Sequence, residues 1–325
     1  MPLVSLSKMD LFQNISNFPN NLHGGVIAIG NFDGLHRGHC ALIGAAAKIA
    51  AAHNVPLGIL TFEPHPRTLF QAPSEPFRLT PPPLKRERAA LTSADFMVEL
   101  PFNRELAQLS AADFIQNILV ESLHASHIVV GEDFRFGQGR TGDITTLAAQ
   151  GEIHGFGVTP LSPVQNETSQ TYSASTIRSL LRRGAVAEAD AMLGWKWEIR
   201  GEVVHGDKRG RELGYPTANV PLKDTLHPSF GIYATWVRIE GEDTWRPAAT
   251  NIGIRPMFET KTALVEAHLL DYEGDLYGKT LHIRLVRKIR DEAKFDNLEA
   301  LVAQMEKDCA TATRILAEDE TAAQD

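Results

Sequence analysis

The chain has 325 residues, of which 43% are hydrophobic and 22% charged, the composition of a folded globular protein rather than a disordered or fibrous one. Its formal net charge is −8, which argues against binding nucleic acid chiefly through charge, and no apolar run approaches the roughly 18 residues of a membrane-spanning helix. Single cores tend to stop growing near roughly 250–300 residues, so two domains are expected.

The start, MPLVSLSKMDLF, carries Lys8 and Asp10 and has no apolar export segment. Cys40 and Cys309 are the only cysteines and lie far apart, so neither a disulfide framework nor a CxxC metal site is open to the chain. A cytoplasmic location follows as the expectation.

In the first half, strand-like runs alternate with helical patterns. Strands are expected over residues 25–30, 57–62, 95–100, 127–131 and 155–161. Between them, helices are expected over 39–52, over 85–93, from Ser110 with Asp113 three residues on, and over 143–150 with Gly151 as the stop. This alternation predicts a parallel, doubly wound α/β sheet. GQGRTG at 137–142 matches G-x-G-x-x-G, but the strand that follows carries no acidic residue at its end, so a mobile glycine loop is expected rather than a dinucleotide fingerprint.

Helices over 175–183 and 185–193, stopped by Gly184 and Gly194, precede a change of period. Residues 197–205, 231–240, 263–272 and 281–289 alternate apolar and polar side chains, which favours antiparallel β, a barrel or a sandwich. GDLYGKT at 274–280 is one residue short of a P-loop and lies between two strand patterns, so a hairpin connection is expected there. A last amphipathic helix carries Leu298, Leu301, Val302, Met305, Cys309, Ala312, Ile315 and Leu316 on one stripe, with Asp296 and Glu299 as its capping box. The domain boundary is expected near Ala185.

Two stretches carry chemistry. GNFDGLHRGH at 30–39 joins the first strand to the first helix. Glycines 30, 34 and 38 allow a sharp turn close to a ligand, and a helix start offers free N–H groups to phosphate. His36 and His39 are three apart and can donate to one phosphate group. The second stretch is GDKRGRELGYPTAN at 206–219. Gly210 and Gly214 permit a phosphate-approaching loop, Pro216 fixes the chain, and Thr217 and Asn219 bring hard oxygen ligands suited to Mg²⁺. By itself this stretch reads equally well as a turn. On the strand over 263–272, Glu266 and His268 share one face, opposite Val265, Ala267 and Leu269. Glu266 then reads either as a base for a substrate hydroxyl or as a solvent-facing carboxylate.

HxGH at 36–39 resembles the nucleotidyltransferase superfamily. With FEPHP at 62–66, GEDFRFG at 131–137 and SASTIR at 173–178 in that order, the first half resembles the FMN adenylyltransferase module of bacterial bifunctional FAD synthetases. The resemblance implies that His36, His39, Asp133, Ser175 and Arg178 contact ATP, along with the loop residues Gly30, Phe32 and Asp33. Ala174, Ser175 and Asp133 depart from the commonest residues of that family; Ser175 keeps a hydroxyl, whereas a carboxylate at 133 accepts but does not donate. The PTAN stretch, GIYA at 231–234, NIGIRP at 251–256, VEAHLLDYEGDLYG from Val265 and IRDEAKF at 289–295 resemble riboflavin kinase, with Met257 as a departure. That family implies a small antiparallel barrel with a C-terminal helix. It implies Mg-ATP at Gly210, Gly214, Pro216, Thr217 and Asn219, Glu266 as catalytic base, and Arg290 and Phe295 beside the flavin.

The expectation is a two-domain enzyme, 1–185 an FMN adenylyltransferase and 186–325 a riboflavin kinase. It would convert riboflavin to FMN and FMN to FAD with ATP and Mg²⁺, as a monomer or weak homo-oligomer with no nucleic-acid or membrane partner. A nucleotidyltransferase for another acceptor with a non-catalytic barrel leaves Thr217, Asn219 and Glu266 unexplained. A flavin-binding regulatory protein predicts damage at His36, His39 or Glu266, and all three are intact.

Overall fold

The computed structural model describes residues 9–70, 75–206, 213–257 and 260–319. The chain divides into two compact units, Met1–Ser74 with Thr80–Ser173, and Glu75–Leu79 with Ala174–Asp325.

The first unit runs β1 (Asp10–Phe12), β2 (Val26–Ile29), α1 (Arg37–His53), β3 (Leu57–Glu63), α2 (Pro66–Phe70), α3 (Pro82–Ala90), β4 (Phe96–Pro101), α4 (Arg104–Gln108), α5 (Ala111–Phe114), β5 (His127–Gly131), α6 (Ile144–His154) and β6 (Gly157–Leu161). Helix α5 continues as a π-helical segment, Ile115–Ser122. The sheet order is β1-β4-β3-β2-β5-β6, all parallel. Strand alternation divides the core between two faces. Val26, Ala28, Ile59, Met97 and Val129 pack with Leu42, Ile43 and Ala46 of α1. Ile27, Ile29, Leu60, Val98 and Ile128 pack with Phe114, Ile115, Ile118 and Leu119. Both faces are covered, so these strands read as continuous apolar runs, and each buried Ile or Leu contributes roughly 1.5–3 kcal/mol.

Three local expectations are corrected here. Helix α1 starts at Arg37 with His36 as N-cap, two residues before the expected start. Helix α6 runs through Gly151 to His154 and stops at Gly155 in the left-handed conformation (φ 80°). Gly151 is needed for packing instead, because a Cβ there would sit 2.5 Å from the carbonyl oxygen of Phe156. The 137–142 loop is pinned rather than loose: Phe136 and Gly142 exchange two backbone hydrogen bonds (3.1 and 3.0 Å), and the Gln138 N–H donates to the Leu109 carbonyl at 2.7 Å.

The second unit contains α7 (Ala174–Arg182), α8 (Val186–Leu193), β7 (Glu198–Glu202), β8 (Ala218–Pro221), β9 (Gly231–Ile239), β10 (Trp245–Met257), β11 (Thr260–Leu269), β12 (Thr280–Arg290) and α9 (Leu298–Glu318). Its antiparallel sheet has the order β7-β12-β9-β10-β11-β8. A bridge between Val204 and Asn219 links the end of β7 to β8, so the sheet nearly closes into a barrel. Ala312, Ile315 and Leu316 of α9 cover Ala234, Ala249 and Val286. The N-cap of α9 is Asn297, whose Oδ1 accepts from the Ala300 N–H at 2.8 Å, in place of the expected Asp296. The 274–280 stretch is not a hairpin. It joins β11 to β12, and these are separated in the sheet by β9 and β10.

Asp190, near the end of α8, accepts from the Trp197 N–H at 2.9 Å. Burial raises its pKa to about 7, against the opposing effects of that hydrogen bond and of Lys196. The folded-state value lies above the unfolded one, so the stability linked to this group is complete below about pH 4 and is lost as pH rises toward 7. Asp190→Asn keeps an acceptor for Trp197 without the charge. It is expected to leave stability nearly unchanged at pH 4 and to raise it by roughly 4 kcal/mol at pH 8, measured by thermal unfolding at both pH values. A variant no more stable than the parent at pH 8 contradicts this.

Candidate active sites

In the first unit, β2 and β5 are neighbours, and the connections out of them, to β3 and to β6, run in opposite directions. A crevice at the carboxyl ends of such neighbouring strands is where open α/β sheets bind ligands. Gly30, Phe32, Asp33, His36 and His39 follow β2, and Asp133 follows β5, where it is exposed.

His36 is 5% exposed, and its Nδ1 accepts the His39 backbone N–H at 3.3 Å. A neutral imidazole whose Nδ1 accepts must carry its proton on Nε2, so the cap fixes His36 as an Nε2–H donor. The His36 and His39 rings stack at 3.6 Å with 18° between planes. Phe32 is fully buried and lies edge-on to His39 at 5.2 Å, supporting the pair from below. Gly38 is required by close approach: a Cβ would lie 3.1 Å from both the His36 ring and the Tyr172 carbonyl oxygen. Asp33 is turned inward. Its Oδ1 accepts from the Thr80 N–H (2.9 Å) and Oγ1 (3.2 Å), and Thr80 Oγ1 accepts from the Gly34 N–H (2.9 Å). The loop is thus latched to a residue 47 positions away, which no local signal announces. Lys85 is also absent from the sequence reading: it is 3% exposed, and its Nζ lies 3.2 Å from Glu63 Oε2 at the end of β3.

Ser175 and Arg178 lie on α7 in the second unit. Ser175 is exposed. Arg178 is buried, its Nε donating to the Phe77 carbonyl at 2.8 Å and its guanidinium lying 5.4 Å from the Phe77 ring.

The second candidate site is a transverse row on the barrel. Asn219 of β8 pairs with Glu266 of β11, Glu266 with Asn251 of β10, Asn251 with Ile232 of β9, and Ile232 with Arg290 of β12. With about 4.8 Å between strands, the row spans about 19 Å. Val265, Ala267 and Leu269 face the core, leaving Glu266 half-buried on the opposite face. Asn251 Nδ2 donates to Glu266 Oε2 at 2.9 Å. Asn219 is 7% exposed, and its Nδ2 lies 3.3 Å from the Thr217 carbonyl oxygen. Gly214 has φ 84°, a left-handed turn that leads into Tyr215, Pro216 and Thr217. His268 Nδ1 donates to the Pro216 carbonyl at 2.8 Å and Tyr215 lies edge-on to its ring, so β11 also holds the approach to Thr217. Gly210 lies outside the described residues.

Arg290 and Phe295 come together, the guanidinium 5.8 Å from the ring. Arg290 is also committed to Asp308 of α9, with Nε and Nη2 donating at 2.6–3.1 Å. Asp308 and Asn251, the hydrogen-bond partners of Arg290 and Glu266, are absent from the sequence reading. The NIGIRP motif marked the stretch around Asn251 without its role, and nothing local pairs Arg290 with a helix 18 residues on.

Among the described residues there is no group of three or more His, Cys, Asp or Glu side chains suited to a metal. Mg²⁺ commonly needs only one or two protein oxygens beside substrate phosphates and water. The Thr217 hydroxyl and the Asn219 carbonyl oxygen fit that demand.

The sequence model of the FAD synthetase family matches residues 18–175, and that of riboflavin kinase matches residues 193–316. The chain is 40% identical to the bifunctional riboflavin kinase/FMN adenylyltransferase of Escherichia coli K12 over 299 residues, covering 92% of this chain and 94% of that one. It is 38% identical to the protein of the same description from Pseudomonas fluorescens, covering 95% and 98% of the two chains. A crystal structure of a Streptococcus pneumoniae protein described as a macrolide-efflux protein superposes with a TM-score of 0.82 at 29% identity, covering 94% of this chain and 98% of that one. No described helix of the present chain is long and apolar enough to cross a membrane.

Proposed function

Because the chain belongs to the family of bifunctional riboflavin kinases/FMN adenylyltransferases, we propose that it makes FMN from riboflavin and then FAD from FMN, each step with its own ATP. Residues 1–185 are assigned the adenylyl transfer and residues 186–325 the kinase step. The observation that supports the reading is the Asn219–Glu266–Asn251 row, in which a half-buried carboxylate stands between two amide side chains on neighbouring strands.

In the kinase step Glu266 takes the proton of the ribityl 5′-hydroxyl as that oxygen attacks the γ-phosphorus. The bond to the β-bridging oxygen breaks and ADP leaves. Mg²⁺, held through Thr217 and Asn219, would supply counter-charge to the phosphates. In the adenylyl transfer a phosphate oxygen of FMN attacks the α-phosphorus and pyrophosphate leaves, with no protein nucleophile required. His36 Nε2–H, His39 and the positive end of the α1 dipole favour phosphate oxygens, which lowers the cost of bringing two anions together. The family resemblance assigns ATP contacts to Asp133 in the first unit and to Ser175 and Arg178 on α7. Gly30 and Gly38 admit the nucleotide, while Phe32 and Asp33 hold the loop.

The test supplies the purified protein with riboflavin and Mg-ATP and follows products by chromatography. FMN should appear first and FAD after it, with ADP and pyrophosphate as co-products. Absence of both flavin nucleotides overturns the assignment.

A further inference from the structure

Asn251 stands on β10 directly opposite Glu266 and is fixed on both sides, paired to Ile232 of β9 and to Glu266 of β11. Its Nδ2 donates to Glu266 Oε2 at 2.9 Å. An ionised carboxylate only accepts, so the amide must present its nitrogen there and turn Oδ1 away. That oxygen is buried and, among the described residues, has no hydrogen-bond partner. Burying an unsatisfied carbonyl is unfavourable, and a leucine of nearly the same shape would avoid the cost. The gain from the amide must therefore lie at Glu266.

A glutamate has three side-chain torsions, the last broad and weakly restrained. A donor on a rigid neighbouring strand fixes the plane of its carboxylate. Small misplacements of a reacting group are expensive, because a shift of about 1 Å can cost roughly a hundredfold in rate. We propose that Asn251 is a positioning residue for the kinase step, its amide holding the Glu266 carboxylate in the orientation that receives the substrate proton. This rests on the reading of Glu266 as base.

Three variants separate the possibilities: Asn251→Leu, Asn251→Asp and Glu266→Gln. Asn251→Leu is expected to lower kcat for FMN formation about ten- to a hundred-fold, the range for a lost hydrogen bond to a charged group, with KM for Mg-ATP unchanged. Its thermal midpoint should stay within about 3 °C of the parent, because loss of the donation and removal of the orphaned oxygen offset each other. Asn251→Asp preserves shape but sets carboxylate against carboxylate, so its kcat should fall further than that of the leucine variant. A packing role predicts the reverse order, with the isosteric aspartate tolerated. Conversion of supplied FMN to FAD by the same samples reports on folding and should be unchanged in both. Parental kcat in either Asn251 variant, or an aspartate variant faster than the leucine variant, overturns the proposal. An active Glu266→Gln enzyme instead overturns the base assignment itself, and the two failures are thereby distinct.

Discussion

Glu266→Gln is expected to abolish FMN formation from riboflavin while leaving the conversion of supplied FMN to FAD at the parental rate. Glutamine has nearly the same volume, and its carbonyl oxygen can still accept the Asn251 Nδ2 donation seen at 2.9 Å. The backbone pairing of position 266 to Asn219 and Asn251 does not involve the side chain, so the barrel is undisturbed. What is lost is the group that accepts the hydroxyl proton, and positioned general bases contribute about a hundred- to ten-thousand-fold. Single-turnover assays with riboflavin, and separate steady-state assays with FMN, check both halves. Residual kinase activity within tenfold of the parent would show that the proton leaves by another route.

The second large effect runs the other way. His36→Ala combined with His39→Ala is expected to stop FAD formation and let FMN accumulate from riboflavin. Removing one positioned donor to a developing charge costs about a hundred- to a thousand-fold. The two rings stack at 3.6 Å and so act together, and the pair is expected to lose less than the product of the single losses. His36 is also the N-cap of α1, and replacing an N-cap acceptor by alanine costs about 1 kcal/mol of stability. His36→Asn restores a capping acceptor without the imidazole, and it should recover the stability but not the activity. The kinase activity of the same protein is the internal control. If FAD still forms at the parental rate in the double variant, the nucleotide is activated elsewhere.

Much of this was legible before any fold was known. The parallel sheet followed from apolar runs alternating with helical stretches, because a strand covered on both faces has few polar positions. The HxGH stretch was legible because a strand–glycine–helix junction forces its backbone N–H groups outward. Glu266 and His268 were placed on one strand face by the period of two alone.

Other features had no local signature. Strand β10 was missed because Pro247, Gly253 and Pro256 interrupt its alternation, and β8 was hidden in a stretch that also reads as a turn. The expected hairpin at 274–280 failed because strand neighbours in sequence need not be neighbours in a barrel: β9 and β10 take the places between β11 and β12. Nothing local shows that the Oδ1 of Asp33 is engaged by Thr80.

Residue types and short-range periods therefore determined the two architectures and placed the candidate loops within them. Those properties depend on side-chain chemistry and backbone geometry within a few residues. Only the tertiary structure decided that Asn219, Glu266, Asn251 and Arg290 share one row, that Arg290 is bound by Asp308, and that Thr80 latches the His36 loop. Each of these is a hydrogen bond or register between segments distant in sequence, chosen by which strands and helices can pack together.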